Sequence, residues 1–315
     1  MNPATTSQSL RDAKAVETLR SINEAIVNIL IVTAFYDIGR AGWSISPRSK
    51  KQYVRYASEY LKKLPAEKYI LTDIDDSRVQ GFDYVDITPL SELAAYSFLR
   101  KSQKVMSSNL FEGIVASAKQ DRIEYHHAEY NIVGLAKWDA LERAYKKTCG
   151  KFSHYIWLDY GIGRRGSDAP FLPIPGLLKP NKRNKIVLSA KKTDRIQNVS
   201  LNTLKPRVSN GLFYCAGGIQ IVPNELIEKY SNLARSTYND ILNIGLCVND
   251  QVLIDVMYFS NPEMFHLSTP PKHFDVFENI DRILQGQDGR FDFAKMPLLK
   301  KWNALKAKER FLKRL

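Results

Sequence analysis

From Asn28 to Tyr36 the chain reads Asn-Ile-Leu-Ile-Val-Thr-Ala-Phe-Tyr, and Asp37-Ile38-Gly39 follows at once. A run this rich in β-branched and aromatic residues, closed by a polar turn, describes a buried strand that opens into a loop. Such a strand needs partners on both sides, and the rest of the sequence offers them in alternation with helices. Short strands are predicted at Tyr69 to Thr72, Tyr84 to Ile87, Tyr155 to Asp159 and Lys185 to Ser189, with another inside Gly211 to Val222. Between them, apolar residues at helical spacing predict helices from Ser49 to Leu64, ended by Pro65, and from Ala128 to Lys147. Further helices are expected at about 89–102, 107–119, from Pro223 to about 243, and over Asp250 to Phe259, whereas Pro170 to Pro180 is irregular. Strands alternating with helices predict one α/β domain over residues 26–295, with a mostly parallel sheet flanked by helices. Residues 1–25 form a lead-in and 296–315 a basic amphipathic helix.

The longest apolar stretch, Ile26 to Tyr36, is interrupted by Asn28 and Thr33 and falls far short of the ~20 residues that span a bilayer. The first 25 residues show no apolar segment behind a basic start, so no signal peptide is expected. Cys149, Cys215 and Cys247 are far apart and make no Cys-x-x-Cys pair, which leaves zinc-finger and thioredoxin readings without support and favours a reduced cytoplasmic setting.

Charge decides which partners to consider. The net charge is +13, but residues 177–195 and 300–315 each carry seven basic residues and one acid, so these two segments hold all but one unit of it. A protein that tracks a nucleic-acid backbone spreads its Lys and Arg over one face with aromatics between them. Two separate clusters fit a smaller polyanion better, and nucleic acid stays as a rival reading only.

In a parallel sheet, ligands bind at the carboxyl ends of the strands, which directs attention to the loops after Tyr36, Thr72 and Asp159. Gly161-Ile-Gly163-Arg-Arg-Gly166 is a literal G-x-G-x-x-G after a strand. It leads into Ser-Asp-Ala-Pro rather than a helix, so a dinucleotide fingerprint is not supported. Arg164 and Arg165 remain available to phosphate oxygens. Asp159 closes a strand where a divalent ion bridging a diphosphate would need an anionic oxygen; capping the next turn is an equal alternative. Asp73 could contact a nucleotide base, with Asp75 and Asp76 in a solvated turn. His126 and His127 are adjacent and suit a loop or cap better than a metal. Asn249 suits an N-cap before Asp250. Gly217-Gly218 inside a strand pattern marks either a bulge or a close backbone approach to a ligand.

These segments together resemble the HtrL/YibB-like family of bacterial glycosyltransferases, of GT-A type fold. The resemblance rests on Ile31 to Arg40 with Trp43, Glu129-Tyr130 with Lys137, Trp157-Leu-Asp-Tyr-Gly161, Gly217-Gly218 and Asn249-Asp250-Gln251. It implies a sugar-nucleotide donor, uridine-linked, with Thr33, Phe35 and Asp37 beside the nucleoside. Arg40 and Lys137 would lie near the diphosphate, and Gly217 and Gly218 would line the same site. It implies a divalent metal, Mn²⁺ or Mg²⁺, on Asp159 and His266, although Gly161 stands where a second aspartate would. Asp250 would be the general base on an acceptor hydroxyl of a cell-surface glycan or lipid-linked saccharide. A non-catalytic scaffold of the same fold is the second rival.

The C-terminal segment places Leu298, Trp302, Leu305, Leu312 and Leu315 on one helical stripe with Lys and Arg mostly off it. That pattern suits an anionic membrane surface, which would put the protein on the inner face of the membrane, or docking on the body of the protein. Deleting residues 297–315 is expected to abolish co-sedimentation with anionic liposomes; unchanged binding would refute the membrane role.

Overall fold

The computed structural model describes residues 28–74, 79–118, 121–165, 184–190 and 201–268. Seven strands form one sheet: β1 (Ile29–Phe35), β2 (Glu67–Thr72), β3 (Tyr84–Ile87), β4 (His154–Leu158), β5 (Ile186–Ala190), β6 (Cys215–Pro223) and β7 (Phe265–Ser268). The α-helices are α1 (Lys50–Glu59), α2 (Leu99–Met106), α3 (Asn109–Ala116), α4 (Ala128–Lys147), α5 (Leu201–Asn210), α6 (Ile227–Asn243) and α7 (Asp250–Ser260). The strand order is β3-β2-β1-β4-β6-β5-β7. Every neighbouring pair is parallel except those made by β6, which runs antiparallel to β4 and β5. The predicted class, α/β with a mostly parallel flanked sheet, is the observed one. The basic C-terminal helix and most of the 177–195 cluster lie outside the described residues.

The pleat of β1 shows why its sequence is apolar throughout. Leu30 and Val32 enter the larger core, which also takes the inner faces of α4, α6 and α7, while Ile29, Ile31 and Phe35 enter a smaller core under α1. Strand β4 divides the same way, with Tyr155 and Trp157 on one side and Ile156 and Leu158 on the other. Alternate side chains thus feed two cores, and no position is left for a polar residue exposed to water.

One expectation needed revision, and two elements had not been expected. The helix expected at 89–102 is two 3₁₀ turns, Leu90–Glu92 and Ala94–Phe98, before α2 begins. The Ala95 amide donates to Asp139 Oδ2 at 2.8 Å, a side-chain partner that competes with helical pairing. Helix α5, which contains Pro206, and the four-residue strand β7 had no clear pattern in the sequence. No helix among the described residues is long and apolar enough to cross a membrane.

One buried network holds the beginning of β6. Asp255 of α7 is fully buried; its Oδ2 accepts from the Tyr214 amide at 2.7 Å and its Oδ1 from the Cys215 amide at 2.8 Å. Arg207 of α5 donates to the same carboxylate at 3.3 Å and lies over the Tyr214 ring. Burial pushes the Asp255 carboxyl up to about 6, against the two amides and Arg207. The folded chain therefore holds a proton here that the unfolded chain has released, and this group's contribution to stability grows as pH falls from about 6 toward 3.8. Asp255→Ala strands Arg207 and two amides, and is expected to remove about 3–5 kcal/mol of stability in urea titrations and to flatten that pH slope.

Candidate active site

A cleft of about 390 Å³ opens at the carboxyl ends of β1 and β4. Its floor comes from Phe35 to Ile38 after β1 and from Trp157 to Ile162 around the end of β4. The loop before α1, the first half of α4 and the start of α7 complete the walls. Five cations line it (Arg40, Arg48, Lys50, Lys137 and Arg164) against three carboxylates, Asp37, Asp159 and Asp250.

At the bottom stands Lys137, projecting from the middle of α4 with only 2% of its side chain exposed. Its ammonium donates to Asp250 Oδ2 and, at 3.0 Å, to the Gly217 carbonyl, and lies 3.8 Å from Asp159 Oδ1. The rings of Trp157 and Trp138 stand 5.3 and 5.7 Å from it. A buried ammonium is tolerable only with such anionic and carbonyl partners. Asp250 is the first residue of α7, whose N-cap Asn249 accepts from the Val252 amide at 3.0 Å and reaches Glu124 with its own amide. The positive end of that helix and the ammonium both attract the Asp250 charge.

Asp159 is placed by its Trp157 and Gly218 neighbours: the Trp157 indole donates to Oδ1 at 2.9 Å, and the Asp159 amide donates to the Gly218 carbonyl at 3.1 Å. Its side chain is 47% open to the cleft. Desolvation by the cleft walls, reinforced by Asp250, holds its carboxyl above the ordinary range against the pull of Lys137. Gly217-Gly218 forms the bulge foreseen for it. Leu188 of β5 pairs with Gln220 and Ser189 with Ala216, so residues 217–219 are skipped in the ladder as a bulge. A Cβ on Gly217 would stand 1.9 Å from Asp250 Oδ2 and 3.0 Å from Lys137 Nζ. What approaches this backbone closely is the chain's own ion pair.

At the mouth, burial and then the neighbouring Arg48 guanidinium hold Arg164 below its usual range. Arg48 and Arg164 both line the cleft, and the Asp159 carboxylate acts on Arg164 in the opposite sense. Phe35 packs on Tyr53 and Tyr160, at 5.6 and 4.8 Å between centroids, and forms an aromatic patch beside them.

The loop after β1 is braced in two ways. Arg40 donates to the Ser46 carbonyl at 3.0 Å and to the Tyr53 hydroxyl at 2.6 Å, and Trp43 stacks flat on His127 at 3.8 Å. His127 thus positions the loop, and His126 pairs with Asp121.

A model of the family described as "Bacterial protein of unknown function (HtrL_YibB)" matches residues 27–281. The chain belongs to the HtrL/YibB family. Kinship is thereby settled and chemistry is not, because that description assigns no function. "Protein HtrL" of Escherichia coli (strain K12) is 22% identical over 260 residues, covering 78% of this chain and 90% of the relative. A crystal structure of mouse xyloside xylosyltransferase 1 overlays with 11% identity over 84% of this chain and 94% of that one, at a TM-score of 0.35, too loose to carry an argument.

The structure brings together Phe35, Asp37, Arg40, Lys137, Asp159, Gly218 and Asp250 along the cleft, with Gly217 directly behind the Lys137–Asp250 pair. Three expected site residues lie elsewhere. Thr33 is fully buried within β1, on the face of the smaller core. Asp73 is exposed beyond the end of β2 and does not line the cleft. His266 pairs in register with Val187, which pairs with Ile221, which pairs with Ile156, so it sits in mid-strand three strands from β4, roughly 14 Å away at ~4.8 Å per strand. It therefore cannot join Asp159 on one ion. Gly161 offers no second carboxylate, and Asp250, the other acid in reach, is paired with Lys137. No group of three metal-ligating side chains occurs among the described residues. The donor set among the described residues does not fit the divalent ion that the resemblance implied.

Arg48 and Lys50 were missed in the sequence, although a signal existed. The first turn of α1 holds Lys50 and Lys51 and no acid, so cations face the helix's positive end. A local conflict of that kind marks a site shaped for something other than stability. Gly217→Ala must displace Asp250 or Lys137 and is expected to cost about 1–3 kcal/mol by overpacking. Gly113→Ala, where an added Cβ meets nothing within 4 Å, should be neutral or stabilising; thermal melts of the two variants check this.

Proposed function

We propose that this member of the HtrL/YibB family is a glycosyltransferase that moves a hexose from a nucleoside diphosphate donor, uridine-linked, to a hydroxyl of a glycan or lipid-linked saccharide. The observation that carries this reading is the polarity of the cleft. Cations from three different elements, Arg48, Lys137 and Arg164, meet at the carboxyl ends of parallel strands, with a carboxylate at the cleft floor beside an aromatic patch. The volume, about 390 Å³, lies within the usual range of small-ligand sites, about 300–1,000 Å³.

The roles follow from the chemistry. The diphosphate lies against Arg48 and Arg164, with the Lys137 ammonium beneath it. The donor's base packs on the patch of Phe35, Tyr53 and Tyr160, and Asp37 accepts from its sugar hydroxyls. As the anomeric C–O bond breaks, its electron pair passes to the diphosphate oxygen, where preorganised cations stabilise the growing charge. Asp250 takes the proton from the acceptor hydroxyl as its oxygen bonds to the anomeric carbon; a base need only sit within hydrogen-bond reach. Asp159, opposite Asp250 across Lys137, orients the ammonium and the sugar.

A nucleic-acid-binding protein would use an extended basic face, and a scaffold would have no need to bury a lysine in a cleft between two acids. Thermal melts of the full chain in EDTA against a panel of nucleoside diphosphates test the reading. A ligand at ~100 times its dissociation constant adds ~2.7 kcal/mol, which for a chain of this size raises the midpoint by about 4 °C. The double variant Arg48→Ala/Arg164→Ala is expected to lose most of that rise. No response to any nucleotide, with or without Mn²⁺, would refute the reading.

A further inference from the structure

The Lys137 ammonium stands between the two carboxylates of the cleft, in contact with Asp250, 3.8 Å from Asp159 and fixed by the Gly217 carbonyl. It is a cation with ligands on three sides. Everything around it has been shaped to hold it there: α4 delivers it from below with almost no exposure, the glycine at 217 removes the Cβ that would collide with it, and two indoles flank it. A lysine ammonium has three N–H donors. Two are directed to Asp250 and Gly217, which leaves one for an oxygen arriving in the cleft.

We propose that Lys137 is a built-in replacement for a divalent ion, so that this cleft binds its phosphate ligand without metal. A metal held by Asp159 and Asp250 would have to displace the ammonium or share their charge with it. Two acids that already neutralise one buried lysine have too little negative charge left for a dication. Arg48 and Arg164 provide at the mouth the remaining positive charge that a diphosphate requires, with guanidinium forks suited to its oxygens. The part of the proposal that concerns phosphate rests on the function proposed above; the part that concerns the ammonium does not.

The experiment separates the two. Mn²⁺ is titrated into the full-length chain without nucleotide, and the free-ion electron paramagnetic resonance signal is followed. The wild type is expected to leave Mn²⁺ free. Lys137→Ala, if folded by circular dichroism, should gain one saturable site that Asp159→Asn in the same background removes. A wild-type chain that takes up one Mn²⁺, with the site lost in Asp159→Asn alone, overturns the proposal, as does a folded Lys137→Ala chain that gains no site. Calorimetry with uridine diphosphate in EDTA and in Mn²⁺ provides a second measurement that needs no variant. Equal affinity in the two supports metal-free binding, and affinity about tenfold higher in Mn²⁺ overturns it. Absence of binding in both sinks the nucleotide reading, while the Mn²⁺ titration still decides the role of Lys137.

Discussion

A single buried ammonium organises this protein's working end. Lys137 cannot sit at the bottom of the cleft unless Asp250, Asp159 and the Gly217 carbonyl surround it, and an uncompensated charge at such a depth would be worth about 3–5 kcal/mol against folding. Each partner imposes a further condition. Asp250 must open a helix, so Asn249 caps it. The Gly217 carbonyl is reachable only through a bulge with no side chain, so β6 breaks register there. Asp159 must end β4, and its amide is tied to the neighbouring Gly218. The cleft is thus preorganised by the same interactions that make the lysine tolerable, and little rearrangement is left to a ligand.

Charge in the cleft is layered by depth. At the floor one lysine faces two acids, while nearer solvent Arg48 and Arg164 add positive charge to the lining, with Asp159 acting on Arg164 as well. An anion entering from solvent meets an attractive field first and a neutralised pair afterwards. The net charge of the chain is no guide to it, because the two basic segments that dominate the total contribute no described residue to the cleft.

Much of the fold was legible in the sequence, because strands buried on both faces are apolar throughout and long amphipathic helices carry their period openly. Strand β1 and helix α4 were bounded to within a residue or so on that basis. Elements that owe their form to tertiary partners were not legible: the 3₁₀ turns pinned by Asp139, the proline-bearing α5, and β7, which is too short to show a period. The site divides in the same way. Asp159, Asp250 and the glycine pair announce themselves at strand and helix ends. The placement of Thr33, Asp73 and His266 depended on which face or strand each residue occupies, and no local pattern encodes that. The pairing of Lys137 with Asp250 spans 113 positions and could only be seen in three dimensions.

The reversal of β6 has a consequence for how the chain is made. Because it runs against its neighbours, its opening residues, not its closing ones, lie beside the carboxyl end of β4. Lys137 and β4 are complete well before β6 and α7 emerge during synthesis. Until then the growing chain holds an ammonium aimed at a core that offers it only one acid. β6 brings the carbonyl that fixes the ammonium and α7 brings its second acid, so the charge at the cleft floor is compensated by the later half of the domain.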